Sequence, residues 1–121
     1  MIEVLKGLPD NVAAFVAKGR LTKKDYDEVL IPKVDEILAQ HKKIRCYYEL
    51  GSGFSGMDPG AIWGDVKVGF AHLARWERVA VVTDVDWIRF AISMFKFLVP
   101  GDVRIFAIGD ASAARRWISE R

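Results

Sequence analysis

Gly51, Gly53 and Gly56, in "YYELGSGFSGMDPGAIW", stand at the G-x-G-x-x-G spacing of a phosphate-cradling loop. In such a loop the helix begins within the glycines, so that its first amides face pyrophosphate. Here Pro59 disfavours helical geometry at Asp58. The helix is therefore expected to start beyond Gly56, and Asp58 sets a negative charge where a phosphate would sit. A ribose-binding acid is due about 20 residues further on, and Asp84 is the nearest residue of that kind, too far along. No G-K-[ST] is present, which excludes a P-loop. The favoured reading of the glycines is a sharp, mobile strand-to-helix connection.

Other reactive groups are sparse. Ser52 and Ser55 need a base, His72 is the only histidine near them in the chain, and no G-x-S-x-G elbow occurs. His41 and His72 are the only histidines and lack metal-ligand spacing. Asp58 and Asp65 offer an acid/base pair that nothing else in the sequence supports. Cys46 is the single cysteine, inside an apolar run, where a free thiol acts as a small hydrophobe. No metal, cofactor or catalytic residue is expected.

The elements that carry these residues follow from periodicity. Ile2–Leu5 and Val12–Ala17 read as an antiparallel hairpin, with Pro9 at the second position of a type I turn. Thr22 and Asp25 form a capping box that opens a helix through Leu38, and Pro32 should kink it or split it in two. Ile44–Leu50 reads as a strand. Asp58 as N-cap and Pro59 as first helical residue open the next helix, with Ile62, Val66, Gly69, Phe70 and Leu73 on one face. "RVAVVTD" is a strand buried on both sides. Asp86 caps a helix to about Leu98, Val103–Ile108 is the last strand, and Asp110 or Ser112 starts a final helix. The order ββαβαβαβα predicts an α/β fold. A small, mostly parallel sheet carries an N-terminal hairpin and surrounding helices, as one domain over residues 1–121.

The segment "DWIRFAISMFKFLVP" is unusually apolar. Arg89, Ser93 and Lys96 cluster on one side, and every other residue from Trp87 to Leu98 is apolar. A helix lying on a sheet needs only a stripe of that kind. The surplus admits three explanations: burial on two sides within the domain, packing against a second subunit, or contact with a lipid or apolar ligand. Phe54, Met57 and Trp63 add large apolar groups nearby, at the strand ends where open α/β sheets bind ligands.

The composition, 51% hydrophobic and 28% charged, is that of a globular domain. A net charge of +2 gives no basis for nucleic-acid binding. His41, Lys42, Lys43, Arg75 and Arg78 are read as cations at helix ends. "MIEVLKGLPD" has no secretory pattern, and the apolar stretch from 87 to 99 is too short and interrupted to span a bilayer. A cytoplasmic location is expected.

Taken together, "LTKKDYDEVLIPKVDEIL", "ERVAVVTDVDW" and "VRIFAIGDASAARRWI", with Phe106 and Trp117, resemble the SpoIIAA-like family. Its members are relatives of the sulfate-transporter and anti-sigma-factor-antagonist (STAS) domains. The resemblance covers nearly the whole chain and implies a central sheet, surrounding helices and a homodimer. In the wider STAS group a serine in a D-S-S-G-type motif is phosphorylated to release a partner. Here that region reads "LGSGFSGMDPG", with Ser52 and Ser55 but without the motif. The likeness of this branch to lipid-binding CRAL-TRIO folds implies apolar ligands and peripheral membrane contact.

The leading expectation is a non-enzymatic binding or regulatory domain for an apolar small molecule or lipid. The ligand would lie between the 51–63 connection and the helix from Asp86, touching Phe54, Met57, Trp63, Trp87, Phe90, Met94 and Phe97. Arg89 and Lys96 would meet a head group or an acidic membrane surface. The alternative is a protein-interaction module of the anti-sigma-factor-antagonist type, controlled by phosphorylation of Ser52 or Ser55. A small hydrolase or nucleotide-using enzyme ranks third.

Overall fold

A computed structural model describes residues 1–121, apart from the side chain of Phe70. Five strands are present: β1 (Ile2–Val4), β2 (Val12–Leu21), β3 (Ile44–Met57), β4 (Trp76–Thr83) and β5 (Asp102–Phe106). They lie in the order β1-β2-β3-β4-β5, with β1 antiparallel to β2 and every other pair parallel. The helices are α1 (Lys23–Asp25), α2 (Ile31–Leu38), α3 (Pro59–Ala71), α4 (Asp86–Phe95) and α5 (Ala111–Ser119). The expected mixed α/β fold and element order are both observed.

Because the parallel strands follow one another in chain order, right-handed crossovers all step the same way and place their helices on one face. The core divides accordingly. On the front, Phe15, Cys46, Tyr48, Leu50 and Val81 of the sheet pack with Tyr26, Leu30, Val34, Ala61 and Ile88 from the crossovers. On the back, Val12, Ala14, Tyr47, Ala80 and Val82 pack only with α5, through Ala114, Trp117 and Ile118, and with partly buried neighbours such as Leu5 and Phe106. Alternating side chains along β3 serve both faces, as in a sheet covered on two sides.

Several local expectations hold. Thr22 caps α1 in a reciprocal capping box with Asp25. The mid-helix proline acts through a π-helical turn, Tyr26–Leu30, which joins α1 to α2 immediately before Pro32. The missing N–H and the ring's clash with the preceding turn are absorbed by widening that turn.

Other expectations are corrected. The hairpin turn closes from Val12 N–H to the Pro9 carbonyl at 3.0 Å, so Pro9 is its first residue, not its second. Asp58 holds the N-cap position of α3, but its side chain makes no cap; it pairs with Arg20. Val85, not Asp86, is the N-cap of α4, and a short 3₁₀ turn over Lys96–Leu98 follows that helix. Arg75 does not serve its own helix: its guanidinium donates to the Leu38, His41 and Lys42 carbonyls at the end of α2. Arg78 lies in β4 and reaches the Trp117 carbonyl at the end of α5. Arg45 joins it there through the Ile118 carbonyl, at 3.0 Å.

The largest correction concerns the glycines. They form no loop: β3 continues through Met57, and Gly19, Arg20 and Leu21 of β2 pair with Phe54, Gly56 and Met57. Gly19, at φ +64°, sits at a bulge that lets β2 follow this extension. The sequence pattern hid the strand because glycine and serine are poor strand formers, and here the partner strand supplies the order.

Candidate functional site: an apolar cavity between two helices

α3 and α4 cover the front of the sheet without filling the space beneath them. Among the described residues of α3 only Ala61 and Gly64 are buried, and in α4 only Ile88. α3 docks by its smallest residues. A Cβ on Gly64 would stand 3.1 Å from the Tyr26 ring, and one on Gly60 would meet Lys23 at 2.9 Å. Seating the helix on this small-residue edge turns Trp63 outward and leaves Ile62 and Val66 with large accessible surface. The orientation of Phe70, expected on the same face as Ile62 and Val66, lies outside the described residues.

What remains is a cavity of about 260 Å³. Its floor is the sheet, through Phe15, Tyr48, Leu50, Val79 and Val81. Leu30 and Val34 close one side; Ile62, Val66 and Gly69 of α3 and Trp87, Ile88 and Ile92 of α4 form the others. An apolar void of about 150 Å³ holds benzene, so this one accepts a larger group. It lies just below the usual range of ligand pockets, about 300–1,000 Å³, and therefore suits one alkyl chain better than two.

The outer faces of the same helices are also apolar. Phe97 is 81% exposed, Phe90 70%, Trp63 66% and Met94 63%, and Trp87 and Leu98 are about half exposed. That is more large apolar side chain in solvent than two helices of a lone domain need to show. The proposed contact residues thus separate into two sets. Met57 and Trp87 line the cavity, while Trp63, Phe90, Met94 and Phe97 stand outside it. Phe54 is partly buried and packs on the front core.

Arg89 spends its guanidinium on the Thr83 carbonyl, at 2.8 Å, and the exposed Lys96 lies 5.6 Å over the Phe97 ring. Ser52 and Ser55 are exposed along the β3 extension. His72 Nε2 is 4.0 Å from Asp35. Cys46 lines the cavity as a buried thiol, and desolvation pushes its pKa up to about 12.

Two residues with polar atoms line the cavity without having been singled out as ligand contacts. Asp65, on α3, is one of the lining residues and keeps accessible surface, yet desolvation by the surrounding protein raises its pKa to about 7. A hydrogen bond from Tyr26 acts the other way. The Tyr26 hydroxyl also lies 2.8 Å from that of Tyr48. Trp76 is buried, and its indole nitrogen has no hydrogen-bond partner among the described residues. The only signal for Asp65 in the sequence was a lone acid in a largely apolar helix. Among the described residues no group of three or more His, Cys, Asp or Glu could hold a metal, and no helix is long and apolar enough to cross a membrane.

Comparison with known proteins agrees with this architecture. The SpoIIAA-like family model matches residues 12–119, so the chain belongs to the SpoIIAA-like family. A crystal structure of an uncharacterized protein from Shewanella loihica PV-4, described as having a SpoIIAA-like fold, superposes with a TM-score of 0.73 at 26% identity. The match covers 98% of this chain and 92% of that one. No curated protein sequence matches.

Proposed function

We propose that this SpoIIAA-like domain is a non-enzymatic binding and regulatory domain whose ligand is an apolar small molecule or the single chain of a lipid. One observation carries the reading: an apolar cavity opens between α3 and α4, and the outer faces of those two helices keep large apolar side chains in solvent. A chain seated in the cavity would be covered by helices whose exposed Trp63, Phe90, Met94 and Phe97 touch a membrane surface during exchange. Contact of this sort is weak and reversible, because it combines modest apolar area with few exposed cations, Lys67 on α3 and Lys96 just past α4. The same exposed face is where a second copy would pack in a homodimer.

Native mass spectrometry of the purified protein, followed by organic extraction, tests the proposal. A retained lipid or fatty chain is expected, and so is flotation with liposomes at low salt. Changing Phe90, Met94 and Phe97 together to serine should abolish flotation while leaving the thermal transition within a few degrees, since none of the three is buried. Protein that carries no extractable ligand and takes up no added alkyl compound would overturn the reading.

A further inference from the structure

We infer that the cavity has a polar terminus: Asp65, beside the paired hydroxyls of Tyr26 and Tyr48, receives the ammonium head of a single-chain amphiphile, a long-chain primary amine. This rests on the apolar-ligand reading above and names the chemistry of that ligand.

The geometry is one-sided. Asp65 is the one carboxyl among the described lining residues, and no Lys, Arg or His lines the cavity with it. Among the described residues no salt bridge reaches it. The groups that face it are phenolic hydroxyls from the π-helical turn and β3, and the Cys46 thiol of β3. None of these brings a positive charge.

The two hydroxyls, 2.8 Å apart, share one proton between them. The second remains to donate to the carboxyl, which orients Asp65 and leaves its other lone pairs open. The Asp65 carboxyl keeps accessible surface and takes a hydrogen bond from Tyr26, but nothing in the apolar lining offers it a positive charge. An ammonium restores both a charge partner and up to three hydrogen-bond donors. A fatty-acid carboxylate in the same place meets a like charge. A cavity meant only for alkane would need no carboxyl in its lining.

Quenching of tryptophan fluorescence reports entry, since Trp76 and Trp87 line the cavity. Dodecylamine, dodecanol and dodecanoate are titrated below their micellar concentrations at pH 7.5, into wild type and Asp65→Asn. In wild type the amine is expected to bind at least ten-fold more tightly than dodecanoate. In the variant this ratio should fall to about two or less, while dodecanol affinity stays within three-fold, showing that the variant folds and keeps its cavity. Dodecanoate binding wild type as tightly as the amine, or an unchanged ratio in the variant, would overturn the polar terminus and leave the apolar cavity standing. Failure of all three compounds to bind wild type would overturn both.

Discussion

A carboxyl whose pKa rises to about 7 on folding, from the ordinary aspartate value of 3.8, binds its proton more tightly in the native chain than in the unfolded one. Between about pH 4 and 7 the unfolded state has lost that proton and the native state has kept it. Stability therefore falls as pH rises through this window, and the full cost is present above it. Asp65→Asn removes the titration. The variant should match wild type near pH 4 and exceed it by about 1–2 kcal/mol at pH 8. That figure is reduced from the full shift because the side chain keeps accessible surface. Urea melts at pH 4, 5.5, 7 and 8 measure it, and a gain independent of pH would assign the effect to packing instead. Asp65 was visible in the sequence only as a possible partner of Asp58, seven positions away. Nothing at that level separates them, because the difference is made by partners distant in the chain. Asp58 is drawn to Arg20 of β2, and Asp65 is set in the cavity by the way α3 sits on Tyr26.

At the scale of elements, the positions of helices follow from caps and periodicity, but their rotations do not. α3 shows the limit. Its large apolar residues suggest a buried face, whereas its glycines make the closest contact and its aromatics stay outside. Gly64→Ala should lift the helix from Tyr26 and cost about 1–3 kcal/mol, the usual penalty of overpacking a rigid neighbour. Denaturant unfolding checks this. α5 is the opposite case: its large apolar residues, Trp117 and Ile118, are the ones it buries. Trp117 packs against Phe106 at 6.0 Å between ring centroids, with the Arg104 and Arg78 guanidinium groups at 4.6 and 5.3 Å from its ring. Among the described residues no other helix packs on the back of the sheet. Trp117→Ala should therefore cost about 3–5 kcal/mol, and a loss below about 1 kcal/mol would mean that α5 is not the clamp described. The β3 extension was illegible for a different reason. Its order comes from β2 across a bulge, a non-local pairing that neither glycine nor serine signals.

For the molecule as a whole, a monotonic parallel sheet gathers three crossovers on one face and leaves the other to a single helix. The crowded face is also the one with a void, because α3 and α4 together contribute only Ala61, Gly64 and Ile88 as described buried residues. A void of this size sacrifices dispersion contacts that the domain would otherwise have, so filling it should stabilise the chain in one of two exclusive ways. A ligand does so by mass action, raising stability with the logarithm of its concentration, by about 2.7 kcal/mol at one hundred times Kd. A side chain does so permanently: Val79→Phe, projecting from the floor, should gain about 0.5–2 kcal/mol as cavity-filling changes do. The two should not add. In thermal melts with increasing dodecylamine, the wild-type midpoint should climb steadily while the Val79→Phe midpoint starts higher and stays flat. Parallel climbs in both proteins would place the bound chain on the exposed outer face of α4 rather than beneath it.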